Sequence, residues 1–90
     1  MEIEFDEAKR QRILAERGLD MAESASIFAE SHFQIEDLRK DYGEARFRVW
    51  GFLKGRRVSL VWTQRENKRR IITMRHAHEH EHKIYQNSLD

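Results

Sequence analysis

The stretch ARFRVWGFLKGRRVSLVWTQRENKRRIITMRH, residues 45–76, decides the fold. Its apolar residues recur mostly at every second position, a period that a β-strand converts into one apolar face. Two interruptions break the alternation, around Lys54-Gly55-Arg56 and around Arg65-Glu66-Asn67-Lys68. Glycine and asparagine there supply the backbone that tight turns need. Three strands are predicted, Ala45 to Leu53, Arg57 to Thr63 and Arg69 to His76, and such short connections make sequential strands antiparallel neighbours.

Working outward, Phe33 and Ile35 alternate with Gln34 and Glu36 in a further short strand, and Leu38 to Gly43 is a polar, glycine-ended loop. Asp6 to Arg17 holds good helix formers, with acids near its positive end and Arg17 near its negative end. Gly18 stops that helix. Asp20 with Glu23 resembles a capping box opening a second short helix through Met21, Ala25, Ile27 and Phe28. After Arg75 strand propensity falls, and His78 to Leu89 is predicted as a terminal helix with Ile84 and Leu89 as its apolar contacts. The predicted class is α+β: two N-terminal helices, an antiparallel meander of three to four strands and a C-terminal helix, with helices against one face of the sheet.

Ninety residues at 39% hydrophobic content suffice for one core, so residues 1–90 are read as a single domain. The chain has no cysteine, which removes disulfides and thiolate metal sites and suits a reducing cytosol. No apolar run approaches membrane length, and Glu2, Glu4, Asp6 and Glu7 stand where an export signal would be positive and apolar. A cytoplasmic protein with no membrane partner is expected.

The net charge of +1 hides a strong asymmetry. Residues 1–41 carry 11 acids and 6 bases, and residues 42–90 carry 5 acids and 11 bases. Between Arg46 and Arg75 ten basic residues face the single acid Glu66. That density favours a polyanionic partner.

Sorted by alternation, one sheet face holds Phe47, Val49, Leu53, Val58, Leu60, Trp62, Ile72 and Met74, the predicted core. The other holds Arg46 and Arg48, then Thr63 and, if that strand continues, Arg65, then Arg69, Thr73 and Arg75, with Trp50 and Phe52 on the same side. Guanidinium groups bind phosphate through paired hydrogen bonds and keep their charge at any physiological pH. The two aromatic rings offer stacking surfaces for unpaired bases. A merely solvated face dressed in arginine and threonine is the competing reading. Lys9 lies on or beside the apolar stripe of the first helix, either reaching inward or snorkelling at the core rim. Glu44 heads the basic region as a general base or as a simple partner of Arg46. His76, His78, His80 and His82 invite a metal, but on a helix only pairs four apart, chiefly His78 with His82, share a side. No metal site and no cofactor is predicted, and no glycine-rich phosphate loop, nucleophile elbow or paired catalytic carboxylates are present.

Several strings resemble one family: Phe5-Asp6-Glu7-Ala8-Lys9, Glu16-Arg17-Gly18-Leu19-Asp20, Asp41-Tyr42-Gly43-Glu44-Ala45-Arg46-Phe47, Trp62-Thr63-Gln64-Arg65, and Arg70-Ile71-Ile72-Thr73-Met74-Arg75 followed by Ala77, Glu81 and Tyr85. In order and spacing over about 80 residues they resemble the BrnT toxins. The resemblance implies a RelE-like ribonuclease fold and an endoribonuclease toxin of a type II toxin–antitoxin pair. It also implies neutralisation by a BrnA-type ribbon-helix-helix antitoxin in a hetero-oligomer, with DNA met only through that antitoxin. Metal-independent attack of the ribose 2′-hydroxyl on the adjacent phosphate, arresting translation and growth, is the implied chemistry. Carried over, the catalytic candidates are Lys9, Glu44, Arg65 and Arg75, and the RNA-binding candidates Arg46, Arg48, Trp50 and Tyr85. Two departures stand out: Ile13 and Arg17 occupy first-helix positions where many relatives have asparagine and histidine, and the run before the final tyrosine is richer in histidine. The alternative they raise is an inactive RelE-like module that only binds antitoxin or nucleic acid.

Overall fold

The computed structural model describes residues 1–86, residues 85 and 86 by their backbone alone. In chain order the elements are β1 (Glu2–Phe5), α1 (Glu7–Arg17), a 3-10 turn (Met21–Glu23), α2 (Ala25–Ala29), β2 (Phe33–Glu36), β3 (Arg46–Leu53), β4 (Arg56–Arg65), β5 (Lys68–His76) and α3 (Glu79–Gln86). The strands form one sheet in the order β1-β5-β4-β3-β2. No helix among the described residues is long and apolar enough to cross a membrane.

Local signals act where they stand. Asp6 caps α1, its carboxylate accepting from the Lys9 amide at 3.0 Å, and Gly18 ends it at φ 69° while its amide donates to the Leu14 carbonyl. Lys54 and Gly55, both at positive φ, make the two-residue hairpin that pairs Leu53 with Arg56.

Several expectations differ from the structure. The sheet is mixed and five-stranded, because Glu2–Phe5, to which the sequence reading assigns no element, form β1 parallel to β5 with Phe5 opposite Ile71. Four residues, half of them acidic, carry little strand propensity of their own; Ile3 and Phe5 are recruited by the core they pack on. The second helix is divided into a 3-10 turn and a short α2. Buried Ser24 separates them, its hydroxyl donating to the Met21 carbonyl, and the Asp20 carboxylate bonds the Ala22 amide rather than that of Glu23.

The two faces of β5 also differ from the expected alternation. Val61 pairs with Thr73 but Trp62 pairs with Ile71, so Ile72 is an extra residue and β5 bulges. The alternation therefore flips there. Ile71, not Ile72, joins Met74 in the core. Arg69 turns to the helix-covered face, its guanidinium carbon 3.9 Å from the centre of the Phe28 ring and 5.1 Å from that of Trp62. Arg70 takes its place on the open face.

The core lies between the sheet and the α1–α2 region, built on Ile13, Leu19, Met21, Ile27, Val49, Leu53, Val58, Leu60, Trp62, Ile71 and Met74. The helices do not share one face, however, because α3 docks on the opposite side against Trp50 and Phe52. Ile84, expected as its apolar contact, is exposed, and Leu89 lies outside the described residues.

Gly51 of β3 is buried where α2 presses closest: a Cβ there would lie 2.8 Å from Cγ2 of Ile27. Ile27 is itself fully enclosed, with no room to retreat. Gly51→Ala is expected to destabilise the fold by about 1–3 kcal/mol through this overpacking, read as a lowered midpoint in urea unfolding.

Candidate active site

β1 ends opposite the middle of β5, so α1 starts beside the sheet edge and hangs Asp6 and Lys9 over the open face. Below them, Arg46 of β3, Thr63 of β4, Arg70 of β5 and Glu4 of β1 stand in register across one rung. Arg65 lies farther along β4, opposite Lys68, and Glu44 comes from the loop preceding β3. Together they enclose a recess of about 250 Å³ lined by Lys9, Asp6, Glu44, Arg46, Thr63, Arg65, Arg70, Ile71 and Ile72.

Each polar group is held differently. Arg46 donates from Nε to Glu44 at 3.0 Å, and its guanidinium carbon lies 4.1 Å from the centre of the Tyr42 ring. Tyr42 in turn donates to the buried Asp37 carboxylate at 3.3 Å, and Asp37 is gripped by Arg39, which holds its carboxyl far below the usual range. Arg46 is thus pre-positioned by a chain of contacts through the loop. Arg70 is ion-paired with Glu4 at 3.3 Å, in a geometry too poor for a hydrogen bond. The Thr63 hydroxyl is already committed to the Ala45 carbonyl at 2.6 Å.

Lys9 and Arg65 differ from these. Among the described residues neither belongs to an ion pair. Lys9 is half-buried, and burial first, then the like charges of Arg12, Arg17 and Arg46, lower its pKa against the weaker pull of Asp6. An amine poised this way releases its proton more readily than an ordinary lysine, which suits proton transfer.

The recess brings together four sequence-derived candidates, Lys9, Glu44, Arg46 and Arg65. Arg48 lies outside it, its guanidinium carbon 4.7 Å from the centre of the Trp50 ring. Trp50 is 3% exposed and its indole nitrogen donates to Glu81, so it is no open stacking surface. Arg75 also lies outside, pairing with Glu81 of α3 at 3.2 Å. The side chain of Tyr85 lies outside the described residues.

Arg70 was missed because the bulge exchanges it with Arg69. The adjacent pair Arg69-Arg70 already guaranteed one arginine on each face, whichever phase the strand adopts. Ile13 is a core residue, and Arg17 clamps the end of α1 to β5 by donating to the Met74 carbonyl at 2.6 Å. Of the histidines, His76 meets the Arg17 carbonyl, His78 stacks on His80, and His82 is buried against Phe52. Among the described residues no three of His, Asp and Glu converge as metal ligands would.

Four cations around one recess, one of them an amine with a lowered pKa, are arranged to bind a phosphodiester and to stabilise added negative charge on it. A family model described as a ribonuclease toxin, BrnT, of type II toxin–antitoxin systems matches residues 5–81, which take in every residue of this recess. No curated protein matches the chain.

Proposed function

The chain belongs to the BrnT family of ribonuclease toxins of type II toxin–antitoxin systems, and from that footing we propose an endoribonuclease whose reacting phosphate sits in the recess beneath Lys9. The observation that carries the proposal is the convergence of Lys9, Arg46, Arg65 and Arg70 from four different elements on one volume.

In the proposed reaction neutral Lys9 takes the proton of a ribose 2′-hydroxyl. The 2′-oxygen bonds to the adjacent phosphorus, the bond from phosphorus to the 5′-oxygen breaks, and that oxygen takes a proton from water. The products are a 2′,3′-cyclic phosphate and a 5′-hydroxyl. Arg65, Arg46 and Arg70 stabilise the extra charge on the phosphoryl oxygens, doing electrostatically what a metal ion would otherwise do. Glu44 keeps Arg46 aimed, and Arg75 and Arg48 extend the basic face along the strand. A RelE-like fold, a BrnA-type antitoxin partner and inhibition of translation and growth are parts of the same reading.

Purified protein incubated with single-stranded RNA in excess EDTA is expected to yield fragments with cyclic phosphate ends, and its expression without the partner to arrest growth. Intact RNA alongside folded protein would sink the enzymatic reading. A second reading, binding without cleavage, is favoured by Ile13 and Arg17 standing where many relatives have asparagine and histidine. Retention of the RNA without fragments is its distinguishing outcome.

A further inference from the structure

The recess leaves unexplained why an acidic side chain of α3 is sunk into the same basic face. One carboxylate oxygen of Glu81 lies 3.2 Å from Nε1 of Trp50 and 3.2 Å from Nη1 of Arg75, and the other is 3.4 Å from that same nitrogen. Donors from β3 and β5 therefore converge on one anion from two rigid strands, beside a buried tryptophan. Burial opposes the charge on Glu81, but Arg75 and then Trp50 outweigh it and hold the carboxyl below its ordinary range.

We propose that Arg75 and Trp50 form a second phosphate subsite for the RNA strand, filled in the free protein by the Glu81 carboxylate, which the RNA displaces together with α3. The inference rests on the ribonuclease reading. A guanidinium and an indole N–H that grip two carboxylate oxygens present the same donors to two phosphoryl oxygens. Arg75 pairs with Ser59, and Arg46 and Arg70 flank Thr63 four residues along β4. At strand spacing that is about 13 Å, on the same face, so one short single strand spans both sites.

Among the described side chains of α3, His82 also meets the sheet, its ring edge-on to Phe52 at 5.0 Å and hydrogen-bonded to the backbone of Val58 of β4. Lys83 and Ile84 are exposed. A polyanion gripping several arginines at once competes well with a single carboxylate on eight residues of helix.

Binding of a fluorescent 2′-O-methyl oligoribonucleotide, which the protein cannot cleave, tests this by anisotropy. Glu81→Gln is expected to bind roughly five- to tenfold more tightly than the wild type, because the fraction of protein with a vacant subsite rises. Glu81→Asp, which keeps the helix and its charge but shortens the arm, moves affinity the same way, and the gain disappears when Arg75→Gln is added. Hydrogen exchange of the α3 amides is expected to accelerate on binding. Wild-type binding that neither variant improves, or α3 amides still protected with the oligonucleotide bound, overturns the subsite and leaves the ribonuclease reading standing. Tightening for polyglutamate but not for the oligonucleotide overturns the assignment to RNA. If no form binds the oligonucleotide, both readings fall.

Discussion

Arg65→Ala is expected to slow RNA cleavage by about 100- to 1,000-fold while the protein stays folded, the loss that follows removal of one pre-organised donor at a charged transition state. Arg65 is the cleanest of the arginines to remove. It is exposed and, among the described residues, unpaired, so its loss opens no cavity and strands no buried charge. The others do not offer so simple an experiment. Removing Arg46 strips Tyr42 of its stacked partner and Glu44 of its ion pair, and removing Arg70 leaves Glu4 without its counter-charge. If the unpaired guanidinium meets the charge that develops as the 2′-oxygen attacks, as proposed, the loss falls mainly on kcat rather than KM. Arg65→Lys should recover only part of it, since a point charge replaces a two-pronged donor. Cleavage by Arg65→Ala at the wild-type rate, with unchanged thermal unfolding, would remove Arg65 from the mechanism.

The second large effect concerns Lys9, whose replacement by arginine is expected to cost about 100- to 10,000-fold. The substitution keeps the positive charge and discards the proton acceptor. An arginine that restored activity would therefore mean that Lys9 acts only as a cation. If the neutral amine is the base, the rate rises with pH as Lys9 loses its proton and levels off above its pKa. Burial and the neighbouring Arg12, Arg17 and Arg46 set that pKa below 10.5, so the plateau arrives earlier than for a free lysine. Arg12 is the largest of the like-charge contributors and does not line the recess. Arg12→Gln should move the rise to higher pH and leave the plateau rate nearly as it was. A pH profile indifferent to both substitutions would assign the proton to another group, with Glu44→Gln the next variant to measure.

How much of this was legible depends on how local each signal is. Alternation over residues 45–76 identified three strands and most of the core, because a strand's two faces are written in consecutive residues. The caps at Asp6 and Gly18 and the Lys54-Gly55 turn were legible for the same reason. Arg46 could be assigned to the open face from its own strand, Arg65 only on condition that its strand ran past Thr63, as β4 does, and Lys9 to the rim of α1. That they meet depended on the order of the strands and on where β1 ends, neither of which is contained in any one segment.

Sequence alone therefore determined the α+β class, the three-stranded meander, the concentration of basic charge on it and, through its ordered strings, the family. Tertiary structure alone decided the rest. It added β1 as a parallel edge, since four half-acidic residues become a strand only beside β5 and over a core. It exchanged Arg69 for Arg70, because a bulge is an accommodation between paired strands that neither strand encodes alone. It also laid α3 over Trp50 and Arg75, turning an expected stacking surface into a closed one. The distances between Glu81, Trp50 and Arg75 arise between residues as much as 31 positions apart, where no periodicity reaches.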